Sequence, residues 1–202
     1  MSTLKTTNLQ HPSAVDPAIV LDADGDVTYS GVHDFSAATV TGAPQGLVHI
    51  ATETFSAVSS VSLNDVFTSD YDNYEIKITA TYTTESAYIL FRVRAGGTDL
   101  LSSYENSGGV IGASTVVGVS GASTAITTRG ISTNSDIFAG TYDILTPFLA
   151  SKTGVAYRVS RGNSFFGGGS VQNTTSYDGF SMITNTGTFS GTLRVYGYSN
   201  GA

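Results

Sequence analysis

The chain contains no cysteine and no tryptophan, and only 4 prolines, 2 methionines and 3 histidines in 202 residues. Without cysteine it forms no disulfide and offers no thiolate to a metal. Charge is scarce as well: Asp, Glu, Lys and Arg make up 12% of the residues, about half the usual share. With 9 cations against 16 carboxylates the net charge is −7, and no Lys/Arg cluster is present to follow a nucleic-acid backbone. No run of about 18 apolar residues occurs, so a membrane-crossing helix is not expected. The opening residues, MSTLKTTNLQHPS, lack the apolar centre of a signal peptide, which predicts synthesis in a cytoplasm without export. Helical stripes of ten or more residues are missing too.

What fills the space is Gly (23 residues), Ser and Thr, together with 11 tyrosines and 10 phenylalanines. β-branched and aromatic residues separated by glycine describe strands joined by tight turns. The hydrophobic share of 40% is enough for a core, and disorder is excluded by the low charge and the aromatics.

Two regions differ in pattern. In residues 1–46 the apolar runs are short and broken by Pro12, Pro17 and Pro44. Ile19–Leu21 and Val27–Tyr29 read as strands, and Phe35, Ala37 and Val40 mark a third weak run. This composition predicts an extended arm that borrows its core from neighbouring chains, the alternative being an unstructured tail. Residues 47–202 carry regular strand signals. Asn73–Tyr82 alternates with period two, Tyr74, Ile76, Ile78 and Ala80 on one side and Glu75, Lys77 and Thr79 on the other. Further strands are predicted over 48–58, 87–95, 115–119, 126–129, 137–145, 155–160, 180–184 and 192–198, with Gly96–Gly97 as a turn. Gly108–Ser123 and Asn163–Ser170 are so rich in Gly and Ser that they read as loops. The pattern as a whole predicts an all-β fold: an antiparallel, jelly-roll-like β-sandwich head at 47–202 behind an N-terminal β-hairpin arm at 1–46.

The most definite chemical signal is LDADGDVTYSG, with Asp22, Asp24 and Asp26 at alternate positions. An EF-hand loop needs Gly sixth and Glu twelfth, but counting from Asp22 those places hold Val27 and His33. Asp24–Gly25 fits a two-residue type I′ hairpin turn instead, pairing Ile19–Ala23 with Asp26–Tyr29. A weaker cation site shared between chains near Asp22, Asp24 or Asp26 stays open at this point. Ser30, His33 and Asp34 are close in sequence, but triad members converge from separate elements, so no catalytic residue is assigned. The Gly-rich stretches lack a P-loop lysine, and no cofactor is expected. Tyr104, Phe165, Phe166 and Tyr177 lie in polar surroundings and are candidates to face a ligand or partner. Arg92 and Arg94 share one strand face, which predicts intersubunit ion pairs or a solvated surface.

The opening segment, with its Asp-Gly turn and VTYSG, resembles the N-termini of tailed-phage virion proteins. The blocks SDYDNYEIKI, ILFRVRAGGTDL, DILTPFLASKT and SGTLRVYGYSNG resemble a β-domain of structural proteins in marine and cyanobacterial phages. The resemblance implies a non-enzymatic virion protein of the decoration, head-fibre or tail-fibre type, trimeric, and exposed on the particle surface. Its implied partners are copies of itself, other virion proteins reached through residues 1–46, and a host surface glycan if it is a fibre tip. The motifs are structural, so they transfer no functional residue.

Overall fold

Alternating sequences become strands wherever one face is covered, as Asn73–Tyr82 and Ile137–Leu145 do. The computed structural model describes residues 8–9, 19–21, 27–29, 46–83, 87–111, 116–128, 137–161 and 163–199. It divides into two units, Met1–Ala43 and Pro44–Ala202. In the first, β1 (Asn8–Leu9), β2 (Ile19–Leu21) and β3 (Val27–Tyr29) form an antiparallel sheet in that order.

The expected pairing of the second and third strands is present, but its register differs by one residue. Leu21 pairs with Val27, and Ile19 with Tyr29. A two-residue turn at Asp24–Gly25 would instead set Leu21 against Thr28. The observed register leaves five residues, 22–26, between the paired ends, an odd number, where a two-residue turn needs an even one. Asp24 and Gly25 themselves lie outside the described residues, as do Asp22, Asp26 and the run Phe35–Val40.

The second unit is an antiparallel β-sandwich with jelly-roll-like layering. Its strands are β4 (Leu47–Val58), β5 (Ser60–Leu63), β6 (Asn73–Tyr82), β7 (Ile89–Ala95), β8 (Thr98–Asp99), β9 (Tyr104–Ile111) and β10 (Val116–Ser123), followed by β11 (Ile126–Thr128), β12 (Ile137–Leu145), β13 (Thr153–Arg161), β14 (Asn163–Val171), β15 (Gly179–Thr184) and β16 (Phe189–Tyr198). One sheet has 8 strands in the order β10-β9-β14-β13-β12-β6-β16-β4. The other runs β11-β7-β15-β5, with β8 paired to β7. Edge strand β4 carries two bulges, one near Ala57 (φ 51°) and one where Val195 and Tyr196 pair with Ala51 and His49.

Aromatic rings fill the space between the layers. One chain of contacts runs Tyr74–Phe67–Phe180–Phe91–Tyr142–Tyr157, with centroids 4.7 to 6.0 Å apart. A second runs Phe55–Phe189–Tyr82–Phe138. With tryptophan absent, phenylalanine and tyrosine supply the large buried surfaces. Tyrosine appears where the ring tip reaches a polar group. Tyr74 donates to the Thr68 carbonyl, Tyr142 shares a hydrogen bond with Thr128, and Tyr157 donates to the Thr127 carbonyl.

Two stretches expected as loops are strands: Gly108–Ser123 contributes to β9 and β10, and Asn163–Ser170 to β14. Tyr157 explains part of the glycine content. It pairs with Gly167, which pairs in turn with Gly108. A Cβ on Gly167 would come within 2.6 Å of the Tyr157 hydroxyl and of the Ser107 carbonyl oxygen. One ring from β13 thus covers two positions that cannot carry side chains of their own. The Gly96–Gly97 turn forms as expected, with φ of 54° and 77°, both in the left-handed region that a type I′ turn requires.

Candidate functional site

The outer face of the 8-stranded sheet is built in bands, because residues in register on neighbouring strands stand side by side. In one band Arg194 pairs with Lys77, Lys77 with Thr141, Thr141 with Arg158, and Arg158 with Phe166. Three of the chain's 9 cations therefore share a single row. The next band toward one end is small and hydroxylic: Thr192, Thr79, Ala139, Ser160 and Ser164. On the other side stand Glu75 and Asp143, flanked by Tyr196 and Tyr198.

Small residues beside long ones leave a hollow. A shallow concavity of about 530 Å³ lies over the part of both bands that β6, β12, β13 and β14 supply, with Lys77, Arg158 and Phe166 among its walls and Arg194 outside it. Phe166 is 41% exposed, an open aromatic face at the end of the row. Lys77 has an ion pair with Glu75 at 3.1 Å and stands 5.9 Å from the centre of the Tyr196 ring. Arg158 and Arg194 are exposed and form no salt bridge among the described residues. Tyr198 donates to Asp143 at 2.9 Å. Burial, that hydrogen bond and the carboxylates of Asp143 and Glu75 push its phenol up to about 12, while Arg158 pulls the other way.

Of the four aromatics expected to face a ligand or partner, only Phe166 is exposed. Tyr104 is fully buried; its hydroxyl accepts from the Val93 amide and donates to the Leu100 carbonyl. Tyr177 is buried and donates to Asn173, and Phe165 points into the core. Polar sequence surroundings suggested exposure for the tyrosines, but a phenol tied to backbone or amide groups is stable inside. The expectation for Arg94 is also corrected. It lies within its own sheet, paired with Asp99 at 2.6 Å and bonded to Ser62 and Ser181. Ser181 also donates to Asp99, so the cluster is a closed network joining β5, β7, β8 and β15. Arg92 donates to the Thr124 carbonyl.

Ser30, His33 and Asp34 lie outside the described residues. His49, on the edge strand, is exposed and bonded to Thr52. Among the described residues no group of three His, Asp or Glu side chains stands close enough to hold a metal ion. The cationic row escaped sequence reading because Lys77, Arg158 and Arg194 lie on strands far apart in the chain. Their common phase, each on the polar side of an alternating strand, was the one available signal.

Fold and face together define a two-layer antiparallel β-sandwich with an open, charged, concave sheet surface. No protein-family model and no curated protein sequence matches the chain. Among solved structures, the crystal structure of the Caenorhabditis elegans galectin LEC-6 is similar, at a TM-score of 0.38 and 9% identity, over 72% of this chain and 96% of that one.

Proposed function

We propose that this chain is a non-enzymatic structural protein of a bacteriophage virion, an exterior capsid decoration or short head fibre. It assembles as a homotrimer and attaches to other virion proteins through residues 1–46. The observation that carries this reading is the size of the N-terminal sheet. Among the described residues its strands have 2, 3 and 3 residues, Ile19 and Val20 are only half-buried, and Val27 is 43% exposed. So small a sheet needs a further apolar surface to be stable, and another chain is the source proposed here. The phage-like sequence blocks fall on β6, on the β7–β8 hairpin, on the β12–β13 connection and on β16. They are framework positions, in keeping with a structural kinship.

Light scattering of the full chain at micromolar concentration should give three times 20.9 kDa, and residues 47–202 alone should be folded and monomeric. A monomeric full chain overturns the assembly. Virions carrying the truncated protein at normal occupancy overturn the attachment role of residues 1–46.

A second reading, favoured by the concavity and exposed Phe166, is that the sandwich recognises a saccharide on the host surface, as a fibre tip does. An aromatic face beside hydroxyl side chains suits a sugar ring, which presents C–H groups on one side and hydroxyls around its rim.

A further inference from the structure

We infer that the row Arg194–Lys77–Arg158–Phe166 binds a carboxylated saccharide, an oligouronate lying across the strands. The inference rests on the saccharide reading above and adds the ligand's charge and direction. The unequal charge distribution is the first support. Met1–Ala43 holds five aspartates and one lysine, so −4 of the net −7 falls there, leaving the sandwich near balance. On that nearly balanced unit, three cations stand in one row, two of them without a salt bridge among the described residues. Exposed arginine is suited to a planar carboxylate, which it grips through two parallel N–H donors.

Spacing is the second support. Lys77 and Arg158 are separated by β12, so their backbones stand two strand spacings apart, roughly 10 Å. That is of the order of a disaccharide repeat, so carboxylates two sugars apart would meet Lys77 and Arg158. Arg194 lies one strand further on, and Phe166 closes the opposite end of the row. The hydroxyl band runs parallel to the row, where Thr79, Ser160 and Ser164 can bond the sugar hydroxyls. On the other side, the Glu75–Asp143 band repels an acidic chain and confines it to the concavity.

The test is calorimetric titration of the full chain with a hexameric oligogalacturonate and with its carboxyl-reduced form. The acid should bind at least about tenfold more tightly than the reduced sugar, the loss expected when charge-assisted hydrogen bonds go unmade. Arg158→Gln should abolish that advantage, Phe166→Ser should weaken both forms, and Arg92→Gln, on the other sheet, should change neither. Near-UV circular dichroism checks that each variant keeps its fold. Equal binding of both forms overturns the charge inference and leaves saccharide recognition standing, whereas no binding of either defeats both. If inorganic phosphate or an acidic peptide of equal charge displaces the acid as readily as unlabelled sugar does, the row pairs with any anion and the inference falls.

Discussion

Replacing Phe91 by alanine is the most direct trial of the sandwich core. Phe91 has no exposed surface and stacks between Tyr142, at 6.0 Å, and Phe180, at 5.6 Å, each with its ring tilted by 21°. Deleting a buried phenylalanine ring costs about 3–5 kcal/mol, from lost transfer energy and the cavity left behind. Leucine at the same position keeps most of the apolar volume and loses the two ring contacts, each worth about 0.5–1.5 kcal/mol. Phe91→Leu should therefore cost about 1–3 kcal/mol, clearly less than Phe91→Ala. For a chain of this size each kcal/mol lowers the melting temperature by about 2–4 °C, so the alanine variant should melt about 6–20 °C lower. Urea unfolding followed by near-UV dichroism measures both, at one fixed protein concentration so that the assembly proposed above would not shift the comparison. Ile137→Ala, at a position 64% exposed, serves as the control and should stay within about 0.5 kcal/mol. A Phe91→Ala cost below about 1 kcal/mol, or a leucine variant as weak as alanine, would refute the stacked-ring account.

Three further outcomes follow from the same structure. Tyr142→Phe strands the buried Thr128 hydroxyl, now bonded at 2.8 Å, and should cost about 1–3 kcal/mol in urea unfolding, while Tyr142→Phe combined with Thr128→Val recovers part of it. Burial raises the phenols of Tyr104 and Tyr142, so the unfolded chain loses their protons first once pH passes about 10. Stability is thus whole below pH 10 and falls above it, by roughly 1.4 kcal/mol per pH unit for each such tyrosine. A urea midpoint unchanged between pH 9 and 11 would contradict this. Gly167→Ala places a methyl against the Ser107 carbonyl and the Tyr157 hydroxyl and should destabilise by about 1–3 kcal/mol; a neutral substitution would show that β9 and β14 are less closely apposed.

Much of the fold is legible in the residues themselves, and the exceptions have physical causes. Asn73–Tyr82 and Ile137–Leu145 alternate cleanly because one face of each meets the rings and the other meets solvent. β9 and β14 hide because glycines erase the alternation, the apolar cover arriving from Tyr157 on a neighbouring strand. The hairpin of β2 and β3 is readable, while its register, Leu21 with Val27, is one residue away from what the Asp24–Gly25 turn chemistry dictates. At the candidate site, Phe166 is visible in the sequence as an aromatic in polar company. The row it ends is not, because pairing between β16, β6, β12, β13 and β14 sets the neighbours, and local sequence carries only the polar phase of each cation on its own strand. Tyr104 and Tyr177 mislead for the opposite reason: hydroxyl bonds to Leu100 and Asn173 let them be buried among polar neighbours.

The two bulges of β4 have a consequence for life at high local concentration. A straight twelve-residue edge would offer its free amides and carbonyls to any identical neighbour, and copies crowded on one surface would zip together sideways. Ile50 and Ala57 throw the ladder out of step at both ends, and Glu53, opposite buried Leu193, puts a charge where a joined sheet would have to close. An edge so interrupted is a poor template for a second copy, and the concave face lies on the sheet's surface, away from it.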